Sequence, residues 1–271
     1  MNSRSWWHCW LRRMVLALFL GATYAPVVMI FIYSFNRSRL GGVWTGFSTR
    51  WYAELFQRSE LWKALGTSTL IAACASSLST ILGTLAAFGL RHWRRRTRDL
   101  ARGLFSIPLV VPDMIIGVSL ALYYHSLAIE RGLATIIVAH MVFGVSYAFV
   151  VMSAAVKLLD ETLFAAALDC GATPWQSHRW VTIPTLAPSL GVAWLLVFVM
   201  SFDDFLITFF SKGLGNDTLP IKIYSQMRFG LRPATNALFA VIFLVTVVGV
   251  AVGAWLSYRR PNSHLGGTIS P

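Results

Sequence analysis

The sequence predicts an all-α integral membrane protein with six transmembrane helices, and three observations lead there. Of its 271 residues, 56% are hydrophobic and mean hydropathy is +0.62, more apolar surface than a water-soluble chain of this length can hide. Only 13% of residues are charged. The uncharged stretches also have the length a bilayer demands, since a hydrocarbon core about 30 Å thick takes roughly 20 helical residues at a rise of about 1.5 Å each.

Taken in order, Met14 to Phe35, Ala64 to Leu90, Gly132 to Val156, Pro184 to Phe202 and Ala234 to Tyr258 contain no Asp, Glu, Lys or Arg. Gly103 to Ile129 is equally apolar apart from Asp113 and is expected to form the third span. The first stretch is long for a signal-peptide core and no small-residue cleavage site follows it, so it is expected to remain as a span. An even number of spans puts both termini on one side. Arg91, Arg94, Arg95, Arg96, Arg98 and Arg102 crowd the loop after the second span, with Arg4, Arg12 and Arg13 before the first. Short loops dense in arginine stay inside, so both termini are expected in the cytoplasm.

The net charge of +12 raises nucleic acid as a partner, but positives clustered beside apolar spans are accounted for by topology and anionic membrane lipid, and no nucleic acid is expected. Cys9, Cys74 and Cys170 have neither metal nor redox spacing. His125 and His140 can approach one another across a short loop, where helix packing is favoured over a metal site. No G-x-x-x-x-G-K-[ST] stretch occurs, and none of Lys63, Lys157, Lys212 or Lys222 follows a glycine. The chain therefore holds no ordinary nucleotide site, and neither H-E-x-x-H nor G-x-S-x-G appears. No catalytic residue and no bound cofactor are expected.

The second span is rich in small residues, among them Gly66, Ala72, Ala75, Ser76, Ser79, Gly83 and Ala87, which let helix backbones approach closely. Against this background three acids stand out. A carboxylate at bilayer depth is costly, about 2.5 to 3.5 kcal/mol on insertion scales, and so faces a cavity, a partner or a pathway. Asp113 follows Pro108 and Pro112, which break the helical hydrogen bonding about 15 Å into the third span. Asp203 and Asp204 come late in the fifth span, and adjacent helical residues diverge by about 100°, so one of them faces a central path and the other caps or pairs with a neighbour. With no Lys or Arg in those spans, acids lining a path imply a cationic cargo. The alternative is structural: Asp113 caps a broken helix and the pair marks a helix end near water.

The longest inner interruption, residues 158–183, reads as two short helices. Leu163 to Cys170 has strong helix propensity through Ala165, Ala166 and Ala167, and Gly171 suits a left-handed C-terminal cap. Thr173 serves as the next N-cap, Pro174 fits the first turn, and Gln176 completes a capping box. Pro184 is expected to end this element before the fifth span. Such a rigid helix-turn-helix reads as a docking surface.

The stretch Ala165-Ala166-Ala167-Leu168-Asp169-Cys170-Gly171-Ala172-Thr173-Pro174, followed by Ile183-Pro184 and Pro188, resembles the E-A-A-x-x-x-G loop of binding-protein-dependent ABC import permeases. It departs at one point, Ala165 standing where the family has Glu; Glu161 lies one turn earlier. Tyr33-Ser34-Phe35-Asn36, the segment Trp44 to Tyr52, Pro108 to Asp113, Ser201 to Asp204 and Thr218 to Gly230 are similar to segments of the second permease subunit in the spermidine/putrescine branch. The resemblance implies a type I import fold in the bacterial inner membrane. It divides the chain into residues 1–59 (an added first helix and outer segment), 60–258 (the core) and 259–271 (a cytoplasmic tail). It further implies ATPase coupling at Ala165, Ala166, Ala167, Gly171, Ala172 and Pro184, and a polyamine path past Asp113, Asp203 and Asp204. The implied partners are a second permease, two ATP-binding subunits that carry ATP and Mg, and a periplasmic polyamine-binding protein facing Asn36 to Lys63 and Lys212 to Pro233. The readings left open are an ABC permease for another solute and a proton-coupled secondary transporter in which the aspartates carry protons.

Overall fold

A computed structural model of the chain describes residues 3–38, 43–227 and 233–258; the expected tail at 259–271 and the Arg228-Phe229-Gly230 part of the outer segment lie outside these. The described elements are helices, joined by one isolated antiparallel bridge between Asn36 and Phe47. They are α1 (Ser3–Tyr33), α2 (Arg50–Gln57), α3 (Ser59–Gly89), α4 (Arg95–Val110), α5 (Asp113–Ser126), α6 (Leu133–Lys157), α7 (Glu161–Asp169), α8 (Pro174–Ser177), α9 (Ile183–Phe202), α10 (Leu206–Ser211), α11 (Leu219–Met227) and α12 (Pro233–Tyr258).

Four stretches are long and apolar enough to cross a membrane: Cys9–Tyr33, Ser59–Gly89, Leu133–Lys157 and Pro174–Phe202. Where a third span was expected, α4 and α5 meet at an angle of 100°. Counted as one broken span the pair makes five, so the expected six are not reached among the described residues. In α12 the described apolar stretch, Ala234–Val245, is shorter than a span. The third span is thus not one rod, and depth along it cannot be read from a continuous rise. The cause is local. Pro112 has no N–H to offer the carbonyl one turn back, and it disfavours helical backbone at Val111, which is extended at φ −72°, ψ 128°. The new helix starts at once, with Ile115 and Ile116 donating to the Pro112 carbonyl.

Pro184 behaves otherwise than expected. It does not end the preceding element: helix continues from Pro174 to Phe202 through one widened π turn, His178–Thr182. The Ile183 N–H reaches back five residues to the His178 carbonyl, and the added residue in that turn relieves the ring's clash with the preceding turn.

The chain separates into two compact units, residues 1–59 with 225–271, and Glu60–Tyr224. In the first, Asn36 organises the segment after α1. Its side chain donates to the Val43 carbonyl (2.7 Å) and accepts from the Thr45 N–H (3.0 Å), while its own carbonyl accepts from the Trp51 indole. Trp51 is buried against Ala234 and Ala237 of α12, so α2 packs by an apolar face on that helix.

The second unit is built on small-residue contacts, as the composition of α3 predicts. The buried stripe of α3 includes Ser68, Ala72, Ala75, Ser79, Gly83 and Ala87. A Cβ at Gly83 would lie 2.7 Å from Ala148 Cβ and the Phe149 backbone. One at Gly144 would lie 2.5 Å from Ser79 Oγ and 2.9 Å from Val197 Cγ1. These glycines set the distances at which α3, α6 and α9 pack. Around them Ala148, Phe149, Met152, Val156, Leu186 and Val197 form a continuous core.

Candidate functional site

The first candidate surface is the helical loop between α6 and α9. Asp160 caps α7, its carboxylate accepting from the Thr162 hydroxyl at 2.7 Å and the Thr162 N–H at 2.9 Å. Those hydrogen bonds, the hydroxyl's foremost, hold the Asp160 carboxyl below the usual carboxylate range. Gly171 closes the helix in the left-handed region at φ 86°. Thr173 and Gln176 form a reciprocal capping box, the Thr173 N–H donating to Gln176 Oε1 at 2.8 Å and the Gln176 N–H to Thr173 Oγ1 at 3.3 Å. Gly171, Thr173 and Gln176 stand where their sequence signatures lie, while the Asp160 cap, which starts α7 two residues before the expected Leu163, carried none.

No residue of α7 is buried. Leu163, Trp175 and Trp180 are exposed apolar side chains on this loop, with Ala165, Ala166 and Gly171 exposed between them and Ala167 and Ala172 half-buried. The loop is anchored from beneath by Phe164, whose ring lies 4.7 Å from that of His178; His178 in turn meets Phe88 of α3 edge-on. Glu161, one turn before Ala165, is engaged in an ion pair with Arg91 at the end of α3. Its carboxylate therefore ties α7 to the bundle and does not stand in at the Ala165 position. Neither pairing carried a sequence signature, since each joins residues of separate elements.

The second candidate site lies where α5, α6 and α10 meet. Gly117 lets α10 approach α5: a Cβ there would fall 2.9 Å from the Phe210 ring and 3.3 Å from Ile207 Cα. Ile116, Ala139, Phe143 and Ile207 seal this junction. Asp113 occupies the first turn of α5 and is exposed. Through the packing of Gly117 on Leu206 and Ile207, the fold places Asp113 and Asp204 each within four residues of one helix contact.

Asp203 and Asp204 part company, because α9 ends at Phe202 and the two residues lie in the turn before α10. Asp203 is exposed and closes α9 through its backbone N–H. Asp204 turns inward. Its carboxylate accepts from the Thr208 N–H at 2.7 Å and the Thr208 hydroxyl at 2.8 Å, and lies 3.3 Å from His140 Nε2. His140 is buried, with Nδ1 bonded to Ser201 Oγ at 2.6 Å and Nε2 to Thr208 Oγ1 at 2.9 Å. Both ring nitrogens are occupied by hydroxyls, so packing, not metal ligation, is this imidazole's role.

An aromatic run that the sequence reading passed over leads to these acids. Trp194, Phe198 and Phe202 stack on successive turns of α9, with ring centroids 5.0 and 5.9 Å apart, and Phe202 immediately precedes Asp203. At a spacing of four residues such rings share one face, but that pattern is equally common in helices packed against helices.

A family described as the inner membrane component of binding-protein-dependent transport systems matches residues 79–260. The chain belongs to this family. It is accordingly an inner-membrane permease, and the match begins inside α3 and includes both candidate surfaces. The permease is 42% identical to the putrescine transport system permease protein PotI of Escherichia coli K12 over 92% of each chain. It is 28% identical to the spermidine/putrescine transport system permease protein PotC of the same strain, over 90% of this chain and 92% of the relative. Among solved structures, a bacterial ABC transporter that imports the acidic polysaccharide alginate superimposes with a TM-score of 0.70 at 14% identity, covering 96% of the permease and 97% of that chain. The MetNI methionine ABC transporter follows at 0.53, with 19% identity over 77% of the permease and 95% of that chain. The fold is that of the type I ABC importer permeases.

Proposed function

We propose that this permease is one of two membrane subunits through which an ABC importer moves polyamines such as putrescine and spermidine. The observation that carries the cargo assignment is the exposed carboxylate of Asp113 near the α5–α10 contact that Asp204 precedes, with no Lys or Arg in α5, α9 or α10. Acids gathered at one helix contact favour a cation there, and a flexible diamine supplies compact ammonium groups for such acids. Asp203 extends the acidic path, and the ring run ending at Phe202 adds faces that attract cations. The similarity to PotI over 92% of both chains supports the same cargo class.

In this reading α4 and α5 form one broken span, α12 completes six, and both termini lie in the cytoplasm. Residues 1–59 form an added first helix and outer segment, 60–258 the transporting core and 259–271 the tail. The partners are a second permease, two ATP-binding subunits holding ATP and Mg at their own sites, and a periplasmic polyamine-binding protein. The loop from Ala165, Ala166 and Ala167 through Gly171 and Ala172 to Pro184 docks on an ATP-binding subunit. Closure of those subunits displaces α7, and the displacement passes into the bundle through Phe164 on His178 and Glu161 on Arg91, switching it between inward-open and outward-open states.

The test is uptake of labelled putrescine by the reconstituted complex with its binding protein. Asp113→Asn and Asp203→Asn are expected to lower uptake by about tenfold or more each, since a charge-assisted hydrogen bond contributes about 1.5 to 3 kcal/mol, while the assembled complex is recovered in normal yield. Wild-type uptake in both variants would refute the path. Uptake without nucleotide that collapses with the proton gradient would instead make the chain a secondary transporter.

A further inference from the structure

Two cavities lie against both α4 and α6, and they differ in character. At the end carrying the arginine-rich loop, where the end of α3 also contributes, a cavity of about 400 Å³ is lined by Arg91, Arg98, Arg102 and Lys157, with Ser153 and Val156. Arg91 is paired with Glu161, and Arg102 lies 3.7 Å from Asp99. Arg98 and Lys157 have no carboxylate partner among the described residues, and the Arg98 Nε is buried without a hydrogen-bond acceptor. The pocket is therefore short of negative charge and of acceptors.

A second cavity, also about 400 Å³, is lined mostly by apolar side chains, among them Leu104 and Phe105 of α4 and Val138, Val142 and Val145 of α6, with Ser146 its polar member. On α4 it begins two residues beyond Arg102. On α6, Ser153 and Ser146 are seven residues apart, or about 10 Å along the axis, and Phe105 stacked on Phe149 lies between. A basic recess thus lies at the end of the spans and an apolar groove on the same two helices lies nearer their middle.

We infer that the α4–α6 seam is a binding site for an anionic phospholipid, whose phosphate meets Arg98 and Lys157 while an acyl chain fills the groove toward Val138. Charge complementarity selects the headgroup, since phosphate oxygens supply the acceptors that Arg98 lacks. The apolar groove on the same pair of helices selects lipid over a free phosphate or a protein carboxylate, either of which leaves that groove empty. Through the Arg91–Glu161 pair the headgroup pocket also adjoins the first turn of α7.

The full chain, purified in mild detergent with its accompanying subunits, is equilibrated with equimolar phosphatidylglycerol and phosphatidylcholine of identical acyl chains, and retained lipid is counted by native mass spectrometry. Phosphatidylglycerol is expected to be kept in preference to phosphatidylcholine, and R98Q/K157Q to reduce its retention about tenfold, to the phosphatidylcholine level. Val142→Trp, which blocks the groove, is expected to remove it as well. If the double variant does not fold, Lys157→Gln alone decides: phosphatidylglycerol should raise the unfolding temperature of the wild-type complex by more than that of K157Q. Equal retention of the two lipids, unchanged retention or an unchanged thermal shift in the variants, or displacement by millimolar inorganic phosphate would overturn the assignment. So would loss of an accompanying subunit from R98Q/K157Q with phosphatidylglycerol still bound, which would make the pocket a protein contact.

Discussion

At the scale of single residues, the three acids that interrupt the apolar pattern have three different environments. Asp204 is held by Thr208 and His140, Asp203 closes α9 with its side chain exposed, and Asp113 starts α5 with its side chain exposed at the helix break. Adjacency in the sequence predicts that Asp203 and Asp204 diverge. It cannot predict which turns inward, because that is decided by the helix end at Phe202 and by His140, more than sixty residues away. The buried network gives a direct prediction. Replacing His140 with Ala leaves Ser201 without its partner and removes the imidazole beside Asp204, and should destabilise the complex by about 1 to 3 kcal/mol. Thermal unfolding of the purified complex measures it; an unchanged unfolding temperature would mean the network does not hold α6 to α10.

At the scale of elements, local signals were the legible ones. The capping box at Thr173 and Gln176, the left-handed Gly171 and the break at Pro112 each depend on residues within a turn of one another, and each stands where its signature lies. Pro184 departs from the expected helix end because a proline ends a helix only where the helix cannot absorb it, and here one π turn does. The anchors of the α7–α8 loop, Phe164 on His178 and Glu161 on Arg91, pair residues from separate elements and leave no local pattern. Gly171→Ala places a Cβ in left-handed backbone, a cost of about 1 to 2 kcal/mol, and residue 171 faces open space. The strain therefore falls on the α7–α8 turn and not on the core. We predict reduced putrescine-stimulated ATP hydrolysis with an unfolding temperature of the complex lowered by less than in His140→Ala. A large drop in that temperature with coupling intact would locate Gly171 in the fold's stability instead.

At the scale of the whole molecule, apolar run lengths gave the helical membrane architecture, and the small residues of α3 anticipated a bundle packed through Gly83 and Gly144. The number of crossings was harder to read, because composition does not distinguish a straight span from two helices at 100°. Sidedness can be tested with the chain's own thiols. Cys9 and Cys170 are exposed and both are assigned to the cytoplasm. In variants retaining only one of them, a membrane-impermeant maleimide should label either in inverted vesicles and neither in right-side-out vesicles. Labelling of the two from opposite sides would break the assignment of both termini and the coupling loop to one face.

The central claim, a polyamine permease driven by partner ATPases, is tested most directly by ATP hydrolysis in proteoliposomes containing the complete complex and its binding protein. Across a panel of diamines, triamines, amino acids and anionic sugars, the account predicts that putrescine or spermidine stimulates hydrolysis and accumulates inside, and that the uncharged and anionic solutes do neither. Stimulation by an anion or an amino acid with no response to any polyamine would contradict it.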